Sequence, residues 1–164
     1  MTALVGKFAP GAGWYSARPV DLEGQPSWLL AQMWSIWRRR FACDTQQMCA
    51  TLLREDWSVL AQTAWPEPLM QDPSGYRYVN GVGRAYRRRA HPFARTRHMP
   101  TDAPHAGEQW AYLWENACGA MHVYRAAFGR WHHLATLPVD VFTELTPQLI
   151  ADIEARQHWL ERAA

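Results

Sequence analysis

The chain has 164 residues, 48% hydrophobic and 20% charged, a globular composition that excludes a disordered or fibrous polymer. Its length is that of a single domain, residues 1–164, and no apolar run approaches the roughly 18 residues of a membrane span. The net charge of +2 hides an asymmetry: of 17 basic residues Lys7 is the one lysine, and the other 16 are arginine. Ten tryptophans add a heavy aromatic load. Met1 to Pro10 holds no sustained apolar block, so no secretory signal is expected and the setting read here is cytoplasmic. Cys43, Cys49 and Cys118 form no C-x-x-C pair, which points to free thiols rather than a disulfide framework or a zinc site.

Residues 1–24 contain Pro10, Gly11, Gly13, Pro19 and Gly24 and read as an irregular or edge-strand entry. A helix follows, with Ser27 as its expected cap and Leu30, Met33, Trp34, Trp37 and Phe41 on one stripe. Arg38, Arg39 and Arg40 suit the negative end of its dipole. In Asp44–Trp65, Met48, Leu52, Leu53, Trp57 and Leu60 fit a helix, while Met48–Leu53 also fits a short buried strand. Tyr76 and Tyr78 ahead of Asn80-Gly81 predict a strand meeting a turn. Trp110, Tyr112 and Trp114 share one strand face, and Met121 with Val123 another, ahead of a turn at Gly129. Trp131–Thr136 and Val139–Glu144 complete an antiparallel meander. Thr146-Pro147 then opens a helix over about 146–162 with Leu149, Ile150, Ile153 and Leu160 inward. The class is α+β with an antiparallel sheet and a few helices.

Charge is unevenly spread. Residues 73–101 hold seven arginines (77, 84, 87, 88, 89, 95 and 97) and no acid, interleaved with Tyr76, Tyr78, Tyr86 and Phe93. Two functional readings compete for this block. One is a surface for nucleic acid or an acidic protein, with guanidinium groups on phosphates and rings on bases. The other is a pocket for a small carboxylate. A solvated strand pair explains the same residues without either. Alternation puts Arg87 and Arg89 opposite Arg88, so no one ligand reaches the whole cluster. His132 and His133, being adjacent, point to opposite faces of a strand, which disfavours a metal pair. No H-x-x-x-H helix, G-x-S-x-G elbow or Walker-type loop is present.

The order of several segments resembles the chorismate–pyruvate lyase family, the enzymes that make 4-hydroxybenzoate. Gln25-Pro26-Ser27-Trp28-Leu29-Leu30, with Arg38 to Phe41 beyond, is similar to that family's opening helix. Thr51 to Trp57 resembles its next strand and turn, which favours the strand reading of Met48–Leu53. Ser74 and Tyr76 sit where its arginine-bearing strand begins, and Ala94-Arg95-Thr96 with Pro100 is similar to the end of the returning strand. Tyr112-Leu113-Trp114, Phe128-Gly129-Arg130 and Thr143-Glu144-Leu145 resemble later segments. Val79 stands where the family's substrate-binding arginine is expected, and Glu108-Gln109-Trp110 replaces its Pro-Leu-Gly turn.

The resemblance implies a single antiparallel sheet with helices packed on one face, and a lyase that expels pyruvate from chorismate without a cofactor. Both carboxylates of that substrate must be held and one proton managed. Arg77, Arg84 and Arg95 are the candidates for holding them, and Glu144 for the proton. Phe142, on the same strand face, is expected to raise the Glu144 pKa. A sensor that binds an aromatic carboxylate without turnover fits the same sheet.

Overall fold

The computed structural model describes residues 2–11, 13–65, 73–87, 95–99, 102–138 and 145–162, with backbone alone at 95–98 and 161. The elements in chain order are β1 (Thr2–Phe8), β2 (Trp14–Val20), α1 (Pro26–Phe41), α2 (Thr45–Leu52) and β3 (Trp57–Leu60). They continue with β4 (Tyr76–Val79), β5 (Gly83–Tyr86), β6 (Arg95–His98), β7 (Glu108–Trp114), β8 (Ala120–Ala127), β9 (Arg130–Pro138) and α3 (Pro147–Arg162). One sheet holds all nine strands in the order β4-β5-β3-β2-β1-β7-β8-β9, with β6 pairing β2 beside that path. Among the described residues no helix is long and apolar enough to cross a membrane.

The architecture is α+β, but the sheet is mixed rather than antiparallel. β1 runs parallel to β7, and β2 parallel to β3. The reason is topological: β2 and β3 are joined through two helices, and a chain that crosses over in this way returns in the same direction. The N-terminal segment is also not an edge. β1 and β2 form an antiparallel hairpin at the centre of the sheet. Pro10 and Gly11 mark its turn, and Ala3, Leu4 and Val5 are buried on both faces. A strand covered on both sides reads as a continuous apolar run, so period-2 alternation does not reveal it.

Pro26, at the first turn of α1, needs no partner for its missing N–H, and Gln25 takes the cap position. Ser27 therefore does not cap α1; its N–H donates to Glu154 Oε1 of α3 at 2.9 Å. Leu30, Met33, Trp37 and Phe41 are buried as the stripe predicts. The chain then turns through Ala42 and Cys43, both left-handed (φ 47° and 68°). Asp44 starts α2 by accepting the Gln47 N–H at 2.9 Å. That cap, with Met48 and Leu52 one turn apart against the core, makes Thr45–Leu52 a helix. The strand favoured for Met48–Leu53 is thereby corrected, and the strand begins only at Trp57. Thr146 opens α3 as expected, accepting the Leu149 N–H at 3.2 Å. Val139–Glu144 lie outside the described residues.

All three helices join one apolar cluster with Ala3, Val5, Trp57, Trp110, Tyr112, Trp114 and Val123 of the sheet. Leu4, Tyr15, Ala17, Ala111, Leu113 and Trp131 form a second cluster on the other face. Three buried aromatics place their polar atoms on acceptors: Trp37 Nε1 donates to Thr45 Oγ1, Trp57 Nε1 to Leu52 O, and Tyr112 OH to Gly24 O. Arg18, pointing to the helix side of β2 and 3% exposed, donates to Leu53 O at 2.8 Å and Asp56 Oδ1 at 3.1 Å.

Two substitutions test this packing. A Cβ at Gly6 would lie 2.2 Å from the Ser16 carbonyl oxygen in the paired strand, and backbone cannot step aside. Gly6→Ala is expected to cost about 2–3 kcal/mol in urea unfolding. Asp56→Ala leaves a buried guanidinium without its charge partner and is expected to cost about 3–5 kcal/mol by the same measurement.

Candidate functional site

Three arginines meet where the C-terminal end of α1, the turn after α2 and the β4–β5 hairpin come together. Arg40, Arg54 and Arg77 edge a cavity of about 180 Å³ whose wall includes Phe41, Trp57, Val79 and Val82. Each arrives for a local reason. Arg40 ends α1, where cations complement the helix dipole, and its guanidinium lies 5.5 Å from the Phe41 ring centroid. Its side-chain stem runs past Gly81, where an added Cβ would lie 3.1 Å from Arg40 Cδ. Gly81 also has φ 72°, which the turn between β4 and β5 requires and glycine adopts without strain. Arg54 follows α2. Arg77 projects from β4 and donates to Glu55 Oε1 at 2.8 Å. Three cations against the single Glu55 carboxylate leave the rim positive, over an aromatic and aliphatic wall.

The sequence candidates divide around this cavity. Arg77 lines it. Arg84 does not, because it is opposite Tyr78 in the β4–β5 register while Arg77 is opposite Ala85, so the two arginines face opposite sides of the sheet. Arg84 donates to Ser58 Oγ at 2.9 Å and its guanidinium stands 4.4 Å from the Tyr76 ring centroid. No single small ligand reaches both. The Arg95 backbone lies on β6 opposite Ala17, its side chain being outside the described residues, as is all of Glu144. Arg88 and Arg89 of the same arginine block are likewise outside. Arg40, Arg54 and Glu55 were not singled out as a site in the sequence. Their shared position depends on the α1–α2 turn and on α2 being a helix.

Beyond the arginine cavity, a second one, of about 260 Å³, is lined by Asp21, Asp56, Glu108, Tyr86 and His105. Protein donors already engage its carboxylates. Tyr86 OH donates to Asp21 at 2.8 Å, the His105 N–H to Glu108 at 2.8 Å, and Arg18 to Asp56. Burial, and then the bond to Asp21, hold the Tyr86 phenol above its ordinary range. This cavity repels anions.

On the face of the sheet without helices, register brings His122 of β8 to His133 of β9. His122 Nε2 is 3.2 Å from Glu115 Oε1, and His122 Nδ1 is 3.3 Å from His133 Nε2. Thr136 Oγ1 lies 3.2 Å from the first ring and 3.1 Å from the second. The irregularity between Val123 and Tyr124 sets this pairing, which no spacing in the sequence announces. His132 lies on the other face and contacts the Ala127 carbonyl at 3.2 Å. Among the described residues, no group of three or more His, Cys, Asp or Glu side chains is placed to hold a metal ion.

Partial burial and then the neighbouring His122, with Arg156 adding a smaller push, hold the His133 ring below its ordinary value. Glu115 and Tyr124 are the other titratable groups around the pair. The unfolded chain therefore takes up this proton more readily than the folded one. Stability is expected to fall as pH drops through about 6.5, the free histidine value, and to be unaffected by this ring above it. Urea midpoints at about pH 7.5 and 5.5 should differ more for the parent chain than for His133→Gln.

Compared with protein-family models, with curated proteins and with solved structures, the chain matches none.

Proposed function

We propose that this chain binds a small aromatic or cyclohexadienyl carboxylate in the cavity edged by Arg40, Arg54 and Arg77. The observation that carries the reading is the union of three guanidinium groups with an apolar wall of Phe41, Trp57, Val79 and Val82. Guanidinium forks match planar carboxylates in geometry as well as charge, and the wall suits a ring. The resemblance to chorismate–pyruvate lyases supplies the ligand class: chorismate is a dianion with one ring carboxylate and one on its enolpyruvyl ether.

Binding without turnover is the form proposed. Elimination of pyruvate needs a group that manages a proton beside the departing ether. At this cavity the carboxylate is Glu55, which is ion-paired with Arg77. That contact occupies Glu55 Oε1 with the guanidinium rather than with a ligand atom. Glu55 then orients Arg77 toward the ligand.

The experiment is equilibrium binding of 4-hydroxybenzoate and of chorismate, read by tryptophan fluorescence, with product formation followed in parallel. Saturable binding of either ligand is expected, with no 4-hydroxybenzoate or pyruvate formed above the uncatalysed rate. Arg77→Ala should weaken binding about 10- to 100-fold, the worth of one charge-assisted contact. Catalysed release of pyruvate would replace this reading with the lyase. Absence of carboxylate binding, with steeply salt-dependent binding of a single-stranded oligonucleotide, would replace it with the nucleic-acid surface.

A further inference from the structure

A bulge in β9 builds a cluster of side chains that the arginine cavity does not use. On a regular strand His133 and Thr136, three residues apart, would point to opposite faces. The β8–β9 register instead moves from Val123↔Ala135 to Tyr124↔His133, which leaves Leu134 as an extra residue. Leu134 and Ala135 accordingly both enter the helix-side core. His133 and Thr136 both turn to the other face, beside His122 of β8. Arg156 of α3 donates to the Leu134 carbonyl, so a second element pins the bulge. Phe8 and Tyr124 stand edge-on to the two imidazoles, with ring centroids 5.8 Å from His122 and 5.2 Å from His133.

We propose that His122 and His133, with the Thr136 hydroxyl, bind a zinc-like divalent cation. Three distances carry the proposal. His122 Nδ1 and His133 Nε2 are 3.3 Å apart, and Thr136 Oγ1 is 3.2 Å from the first and 3.1 Å from the second. Two nitrogens bonded to one tetrahedral zinc at about 2.0–2.1 Å lie about 3.3–3.4 Å from each other. The three donor atoms thus have nearly the spacing of one face of a zinc tetrahedron before any ion arrives. His133 and Thr136 are exposed, so a hydrated ion reaches them from solvent and keeps a water as its fourth ligand.

Glu115 gives independent support. His122 Nε2 is 3.2 Å from Glu115 Oε1, on the side of the ring away from His133. A neutral imidazole that donates this N–H keeps its Nδ1 lone pair for the ion. A carboxylate behind a ligating histidine fixes both the tautomer and the ring orientation, which makes Glu115 a positioning residue. The cation takes the place of the proton shared by the two facing nitrogens, and that proton moves to His133 Nδ1. Two imidazoles and a hydroxyl are fewer strong ligands than a structural zinc site has, so the affinity expected is micromolar. Imidazole donors select zinc and its transition-metal neighbours over magnesium or calcium.

Cys43→Ser, which removes the exposed thiol as a competing ligand, provides the test protein. After treatment with a chelator and its removal, zinc chloride is titrated by calorimetry and cobalt(II) chloride by visible absorption. The expected result is a single zinc ion per chain with a micromolar Kd, and the intense visible band of tetrahedral cobalt. His133→Gln, a change at an exposed position, should weaken zinc binding about 100-fold or more, with the far-UV circular dichroism of the metal-free chain unchanged. Glu115→Ala should weaken it about 10- to 100-fold and alter the cobalt band, because the His122 ring loses its orienting partner. Absence of both zinc heat and the cobalt band would overturn the proposal. So would zinc binding of undiminished affinity in His133→Gln, which would place the ion elsewhere on the chain.

Discussion

The Arg18 guanidinium is the group on which the middle of the molecule depends. A charge at 3% exposure in a central strand is costly unless each of its partners is supplied. Here they come from the segment between α2 and β3, with Leu53 offering its carbonyl and Asp56 its carboxylate. The two contacts fix where α2 stops and where β3 begins. Trp57, the next residue, pairs with Val20 of β2 in parallel register and turns its indole N–H back to Leu52 O. A helix of eight residues has little stability by itself, so α2 persists through its Asp44 cap, its buried stripe and this anchor. A hydrophobe at position 18 would fill the same space without specifying the crossover.

The same anchor separates two electrostatic environments. Asp56 faces Arg18 and also lines the acidic cavity with Asp21 and Glu108. Glu55 meets Arg77. Adjacent carboxylates in the segment between α2 and β3 thus take different partners, one a buried cation and the other an exposed one. The result is an arginine rim on the helix side and a carboxylate-lined hollow elsewhere, within a chain whose formal net charge is only +2. A small anion is attracted to one and excluded from the other.

What the sequence made legible was local. The α1 stripe, the Asn80-Gly81 turn, the faces of β7 and the Thr146 start of α3 each depend on residues within one or two turns of each other. The errors share a different cause. β1 and β2 look peripheral because prolines and glycines crowd their ends, and their central place follows from β7, about a hundred residues away in the chain. Met48–Leu53 is apolar enough for either state, and the deciding contact, Asp44 with the Gln47 N–H, is a capping signal outranked by the family likeness. The arginine cavity joins positions 40, 54 and 77, whereas the sequence block concentrated attention on 73–101. Clustering along the chain marked Arg77 but placed it with Arg84, which alternation sends to the other face.

The excess of arginine over lysine has more than one physical use. Arg18 uses two guanidinium nitrogens in fixed directions inside the core, which an ammonium group on a flexible stem does not reproduce. Arg84 and Arg38 lie against the rings of Tyr76 and Trp34, a role suited to a flat cation. Arg40, Arg54 and Arg77 line the cavity. Lys7, the exception, lies near the end of β1 opposite Trp114 of β7. The composition therefore follows geometry: forks occupy the planar and multidentate positions.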